Sequence, residues 1–228
     1  MEVVTFGESM VLFGPDSSGP LRYVQNFNKS IAGAESNVAI ALAKLGHKVG
    51  WFSKLGDDEF GRYIQSTIQG EGVDVSRVIF EPGKNTGILF KERFMHSNPN
   101  VYYYRKGSAA SNLKAEELDE SYIKDAKILH ITGITPALSE SCRKTLFKAI
   151  EVAKANNVLV SFDPNIRLKL WTKEEAIPVM LEIAKLSDII FPGIDEGEML
   201  LGFTKPNDIA DSFIKMGCSV DRKSIRLN

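Results

Sequence analysis

Short apolar runs, each closed by glycine, proline or a charged residue, set the rhythm of this chain. Residues 2–7, EVVTFG, form a β-rich run with Glu8 at its C-terminal tip. From 11 to 30, Gly14-Pro15 and Gly19-Pro20 punctuate aromatic positions, which predicts short strands and turns. Residues 31–46, IAGAESNVAIALAKLG, open with the small-residue turn Ala32-Gly33-Ala34 and continue as an almost wholly apolar helix. A helix apolar nearly all round is expected to be buried. Gly46 fits the left-handed position after a helix end. Residues 48–55 predict a second buried strand, and Asp57 is the expected cap of a helix running to Gly70. Strand, excursion, helix, strand, helix is how a parallel sheet is built.

Residues 73–104 break that rhythm. VSRVIF, TGILFKERF and VYYYR are β-runs separated by Pro82-Gly83 and Ser97-Asn98-Pro99. They predict an antiparallel element attached to the sheet, as a lid or an edge extension. The alternation then returns: a short helix at 114–118, a strand at 127–131, a helix at 138–156 capped by Ser139, and a strand at 158–162. A helix at 173–186 carries Pro178, which predicts a kink or break. A strand at 188–191, a helix at 196–201 ending at Gly202, and a last helix at 209–216 complete the pattern. One α/β domain over 1–228 is expected, with lid strands drawn from about 11–31 and 75–105.

Charge and composition narrow the partners. With 28 basic and 29 acidic residues the net charge is −1, so no global field draws nucleic acid or an anionic membrane. No apolar run approaches a membrane span. The start, MEVVTFGESM, reads as a strand rather than a signal peptide. Cys142 and Cys218 lie far apart, without metal-ligand spacing, which points to free thiols in a reducing, cytoplasmic setting. His47, His96 and His130 are scattered and read as structural or surface residues.

A glycine turn feeding a helix exposes unpaired N–H groups, and Asn37 adds donors and an acceptor in the first turn. That suits a hydroxyl-rich or anionic ligand; the alternative is a buried helix after an ordinary turn. Open parallel sheets bind ligands outside the carboxyl ends of their strands. Glu8, Asn37, Asp163, Asn165, Arg167 and Glu196 fall at those tips and form one candidate site. On a strand, Tyr103 and Arg105 share a face. Arginine can hold a carboxylate by two parallel bonds while the ring covers a sugar; the alternative is an edge strand with a solvated Arg105-Lys106 pair. Arg167 suits charge on a transferring phosphoryl group, against a plain surface arginine. Glu196 suits Mg²⁺, directly or through water, against a first-turn acid favoured by the helix dipole. There is no Walker-type run and no G-x-G-x-x-G, so a nucleotide would be held another way.

Several ordered stretches carry a resemblance. They are Thr5-Phe6-Gly7-Glu8, Gly33-Ala34-Glu35-Ser36-Asn37-Val38-Ala39 and Leu55-Gly56-Asp57-Asp58-Glu59-Phe60-Gly61. Tyr103-Tyr104-Arg105-Lys106-Gly107-Ser108-Ala109 and Gly133-Ile134-Thr135-Pro136-Ala137-Leu138 follow. Asp163-Pro164-Asn165-Ile166-Arg167 with Leu170-Trp171, and Gly193-Ile194-Asp195-Glu196-Gly197-Glu198, complete the set. From Val3 to about Gly217 the chain resembles the PfkB (ribokinase-like) sugar kinases, most of all the 2-keto-3-deoxygluconate kinases.

The resemblance implies a three-layer α/β/α domain with a mostly parallel central sheet and a small β-lid that forms homodimers or higher homo-oligomers. It implies ATP- and Mg²⁺-dependent phosphorylation of the 6-hydroxyl of an acid sugar, 2-keto-3-deoxygluconate. Carried over, Gly33, Ala34, Glu35, Ser36 and Asn37 bind sugar hydroxyls, and Leu89 lines the sugar pocket. Tyr103, Tyr104 and Arg105 hold the substrate, with Arg105 on its carboxylate; a neutral sugar would leave that cation unpaired. Asn165 and Arg167 face the nucleotide's phosphates, Arg167 in the catalytic role, and Glu196 helps place the magnesium.

Three features depart from the family pattern. Ala32-Gly33 stands for a Gly-Gly pair, and Gly193-Ile194-Asp195-Glu196 lacks the asparagine of an Asn-x-x-Glu motif. The Gly-Ala-Gly-Asp motif, whose aspartate is the family's general base, is not in the 228 residues. Residues 218–228, CSVDRKSIRLN, do not read as a buried strand. The expectation is a truncated or frame-shifted product that transfers phosphate poorly. The alternatives are another sugar kinase, fructokinase-like, and a non-catalytic sugar-binding remnant.

Overall fold

The computed structural model describes residues 1–94 and 99–220, the last two by backbone alone. Most of the Ser97-Asn98-Pro99 turn, His96 and the 221–228 tail therefore lie outside the described residues. Strands β1 (Val3–Phe6), β2 (Met10–Pro15) and β3 (Phe27–Ala32) lead into helix α1 (Ala34–Lys44). Next come β4 (Val49–Phe52), β5 (Lys54–Gly56) and α2 (Glu59–Gly70). β6 (Ile79–Glu81), β7 (Ile88–Lys91) and β8 (Val101–Tyr104) follow with no α-helix between them. Then α3 (Glu120–Lys124), β9 (Ile128–Thr132), α4 (Ile134–Leu138), α5 (Glu140–Ala155) and β10 (Leu159–Asp163) alternate. α6 (Lys173–Leu186), β11 (Ile189–Ile190), α7 (Ile194–Leu201), α8 (Pro206–Lys215) and β12 (Ser219–Val220) complete the order.

Six parallel strands form the central sheet in the order β12-β11-β10-β9-β1-β4. β1 and β4 are buried at every residue, in keeping with their mostly apolar sequences. Successive side chains still point to opposite faces. Val4 and Phe6 join Leu129, Ile131, Leu146, Ile150 and Phe162 in one core. Val3, Val49 and Trp51 join Ala39, Ile64 and Ile68 in the other. A sheet with an apolar layer on each face is the α/β/α arrangement.

The second sheet runs β3-β2-β7-β8. Its β2–β3 and β7–β8 pairs are antiparallel, but β2 and β7 run parallel. The expected antiparallel element is therefore mixed, because α1 and α2 lie between β2 and β7 and supply the crossover a parallel pair needs. β6 does not join it; it pairs in parallel with β5.

Other local expectations shift for physical reasons. α1 is not a buried helix: only Glu35, Ser36 and Ala39 are buried, and Leu45 is 75% exposed. It lies across β1, β4 and β9 on one side only, so its apolar outer side faces solvent among the described residues. Asp58, not Asp57, caps α2, accepting the Gly61 N–H at 2.7 Å, while Asp57 pairs with Arg62. The extended backbone at Asp58 carries its carboxylate over that third N–H. The 114–118 helix is a single 3-10 turn, Ala115–Glu117. α4 was not expected; it ends at Ser139, whose hydroxyl caps α5 by accepting the Cys142 N–H at 3.1 Å. α6 runs through Pro178 without a break, held by a Thr172–Glu175 capping box and by burial of Ala176, Val179, Met180, Ile183 and Ala184. Gly46 and Gly202 take positive φ after their helices, at 89° and 77°, as their positions require.

Candidate active site

The strand tips of the central sheet bring the candidate residues to one edge. Glu8 follows β1, Thr132 ends β9, Asp163 ends β10, and Gly193 follows β11. The Gly33 turn packs directly on the Glu8 segment. A Cβ at Gly33 would lie 2.5 Å from the Ser9 Oγ and 2.9 Å from the Glu8 carbonyl, so only glycine admits this approach. Ser9 donates its hydroxyl to Ser36 at 2.7 Å, and Ser36 donates back to the Gly33 carbonyl at 3.3 Å. Both serines are buried. Asn37 is exposed in the first turn of α1 and is free to face a ligand.

A cleft of about 360 Å³ is lined by Asn85, Thr86 and residues 103–108, and not by the Gly33–Asn37 turn. Arg105 lies over the Tyr103 ring, 5.7 Å from its centroid, so the two share a face as the strand pattern required. Leu89 is opposite Tyr103 in register and buried, so the two side chains lie side by side on one face of the second sheet. Tyr104 turns its ring edge-on to Phe90 within the second sheet. From the phosphate-side loop, Lys169 donates to the Val101 carbonyl at 3.1 Å and sits 5.6 Å from the Tyr103 centroid. That contact joins the loop after β10 to β8.

Arg105 is not a waiting cation. Its Nη2 forms an ion pair with the Glu8 Oε2, and Glu8 Oε1 accepts the Ser108 hydroxyl at 2.5 Å. The Glu8 side chain is 0% exposed and that of Arg105 10% exposed. The Arg105 Nε is buried without a hydrogen-bond partner. Burial pushes the Glu8 carboxyl above its ordinary range, with Arg105 and Ser108 opposing. The expectation that a neutral sugar would strand an unpaired charge is therefore corrected: Glu8 already compensates Arg105.

Glu35 is corrected as a sugar ligand too. It is fully buried under Gly7, where a Cβ would overlap its carboxyl. Its Oε1 accepts hydroxyls from Thr132 at 2.6 Å and Thr135 at 3.2 Å. Burial pushes its carboxyl up to about 7, against those hydrogen bonds. Ser36, likewise buried against Ser9, serves the turn rather than the cleft. Ala34 contributes backbone at the helix start.

On the phosphate side, Asn165 adopts φ 38°, a left-handed conformation that asparagine tolerates. Its Nδ2 donates to Asp163 Oδ2 at 3.4 Å, and its Oδ1 is buried without a partner. Arg167 is exposed, and among the described residues its guanidinium donates to the Ile166 carbonyl at 3.4 Å. Glu196 has another task. Its Oε1 accepts the Ile166 N–H at 3.1 Å and its Oε2 the Gly193 N–H at 2.7 Å. It clamps the Asp163–Arg167 loop to the start of α7. No cluster of three metal-binding side chains occurs among the described residues. The clamp engages both carboxylate oxygens of Glu196, the residue expected to help place magnesium directly or through water.

Asn85, Thr86 and Ser108 line the cleft without having been singled out. Thr86 accepts the Gly56 N–H at 3.0 Å and donates its own N–H to Asp58 at 2.8 Å. Its signal was the small Thr86-Gly87 step before β7: a Cβ at Gly87 would lie 2.9 Å from Glu8 Oε1. No local pattern marks a serine that bonds a glutamate 100 residues away.

A cleft with the Arg105 cation on its wall thus lies in the same molecule as a second arginine, Arg167, in the loop after β10 of a parallel sheet. The pfkB family carbohydrate kinase profile matches residues 1–217, and the chain belongs to that family. It is 44% identical over 221 residues to the 2-dehydro-3-deoxygluconokinase of Bacillus subtilis strain 168, covering 96% of this chain and 68% of that protein. The PfkB protein from Polaromonas sp. JS666 superposes with a TM-score of 0.92 at 41% identity, over 96% of this chain and 76% of that one. An uncharacterised sugar kinase from Pyrococcus horikoshii in complex with ATP superposes with a TM-score of 0.81 at 31% identity, over 88% and 66%. The chain thus spans roughly two thirds to three quarters of the length of these relatives. The fold is ribokinase-like, and the family activity is that of a carbohydrate kinase using ATP.

Proposed function

We propose that the cleft takes an acid keto sugar, 2-keto-3-deoxygluconate, and that its 6-hydroxyl is phosphorylated from ATP. Arg105 carries this reading: a guanidinium on the wall of the cleft, beside an exposed aromatic face, suits a sugar carboxylate. The similarity to a 2-dehydro-3-deoxygluconokinase supports the same substrate. Gly33 and Ala34 offer backbone at the start of α1, and Asn37 binds hydroxyls. Tyr103 covers the sugar, with Leu89 beside it. Asn165 and Arg167 face the phosphates, and Arg167 stabilises charge on the transferring phosphoryl group. Glu196 would help place Mg²⁺, directly or through water, and the ion would offset charge on the transferring phosphoryl group. The second sheet is the proposed surface of a homodimer, and the setting is cytoplasmic.

The test is a thermal melt of the 228-residue chain with and without 2-keto-3-deoxygluconate, beside an assay of ADP release. At about a hundredfold excess over Kd, ligand adds ~2.7 kcal/mol, a rise of roughly 5–10 °C. A cooperative melt unmoved by saturating sugar overturns the substrate reading. A second reading, a neutral ketose, is favoured by one observation: the Glu8–Arg105 pair leaves no uncompensated charge. A shift with fructose and none with the acid sugar selects it.

A further inference from the structure

Glu8 sits behind the substrate cation, and nothing in the acid-sugar reading explains its presence. It is fully buried just past the end of β1, and the 105–108 segment and Gly87 close round it. Ser108 donates to Oε1, Arg105 pairs with Oε2, and Gly87 provides the space. Two other ionisable groups face this cluster. Glu35 on α1 feels the Arg105 charge, and the Cys142 thiol on α5 is pushed up by burial first and by Glu8 in lesser part. Arg105 and Ser108 both line the cleft, so the ion pair forms part of its wall.

That arrangement has a charge consequence. A sugar carboxylate delivered to Arg105 places two carboxylates on one guanidinium whose side chain is 10% exposed. Two like charges held that close do not both remain ionised. Of the two, Glu8 has no contact with solvent. We propose that Glu8 is a built-in stand-in for the substrate carboxylate: the two exchange on Arg105, and acid-sugar binding takes up one proton from water onto Glu8. Once protonated, Glu8 has a hydroxyl to donate and Ser108 an oxygen to receive it, so their contact survives with its direction reversed. Burial already disfavours the ionised form of Glu8, in the direction this exchange needs. Glu8 acts through Arg105 and is a positioning residue.

The inference rests on the acid-sugar reading, and calorimetry on the 228-residue chain separates the two. Titration with 2-keto-3-deoxygluconate is run from about pH 6 to about pH 8, in buffers of different ionisation enthalpy. The expected result is uptake of close to one proton, with affinity falling up to about tenfold per pH unit. Glu35→Gln should keep that proton count, and Glu8→Gln should abolish it while tightening binding about tenfold near pH 8. Binding without proton uptake in the unaltered chain overturns this inference alone, and that result needs no variant to fold. Loss of the uptake in Glu35→Gln with its retention in Glu8→Gln overturns it as well, by assigning the proton to Glu35. No acid-sugar binding at any pH overturns both the inference and the substrate reading.

Discussion

Two fully buried glutamates lie within one helix start of each other and meet opposite fates. Glu8 has a cation: Arg105 shares its burial, and a serine hydroxyl completes the cluster. Glu35 has only neutral partners, the hydroxyls of Thr132 and Thr135, and one carboxyl oxygen without a partner. Burial raises both carboxyls; at Glu8 the Arg105 charge is the main opposing influence, and at Glu35 hydrogen bonds are. The pair teaches that the same buried residue type is met by a cation in direct contact in one place and by hydroxyls in the other.

The sharpest way to break the comparison is to remove the cation. Arg105→Met leaves Glu8 buried and uncompensated, and should cost about 3–5 kcal/mol in urea unfolding. Adding Glu8→Gln to that variant should recover most of the loss; a further fall would mean the pair is not coupled. Glu35 should then set the pH dependence. Its carboxyl is raised from 4.5 to about 7 in the folded chain, so the folded state holds a proton the unfolded chain has released. The contribution is complete below about pH 4.5 and is lost as pH rises through about 7, by up to ~3 kcal/mol. Glu35→Gln should flatten that slope in unfolding curves measured across this window; an unchanged slope would place the proton elsewhere.

Smaller effects sharpen the contrast. Ser108→Ala removes a hydrogen bond to a charged acceptor and should cost about 2 kcal/mol. Thr132→Val removes one to a carboxyl that is protonated near pH 5, and should cost about 1 kcal/mol there. Equal losses at that pH would show that the two glutamates carry the same charge.

What the sequence made legible follows from which signals are local. β1, β4 and β10 were readable because a strand buried on both faces writes itself as an apolar run. Tyr103 and Arg105 were readable as a pair because a strand puts alternate residues on one face. The Glu8–Arg105 pair was not, since its members are nearly a hundred residues apart and each looks like a solvated charge at a strand tip. Glu35 read as a ligand because it sits inside the glycine turn; only the tertiary approach of Thr132 and Gly7 turns it inward. Glu196 had a first-turn acid as its alternative reading, and the structure adds the Ile166 bond that sequence cannot supply. α1 misled because an apolar pattern all round does not say how many sides are covered.

The order of the central sheet also bears on how the chain is made. β1 lies between β4 and β9, pairing Val3 with Val49 on one side and with Ile128 on the other. Synthesis at ~5–20 residues per second separates the arrival of those two neighbours by roughly 4–15 seconds. Throughout that interval one flank of a strand with three apolar residues in four stands open on the ribosome, the kind of edge that captures other nascent chains. The position of β1 thus makes the pace of translation, as well as the finished contacts, a determinant of how much of this protein reaches its native form.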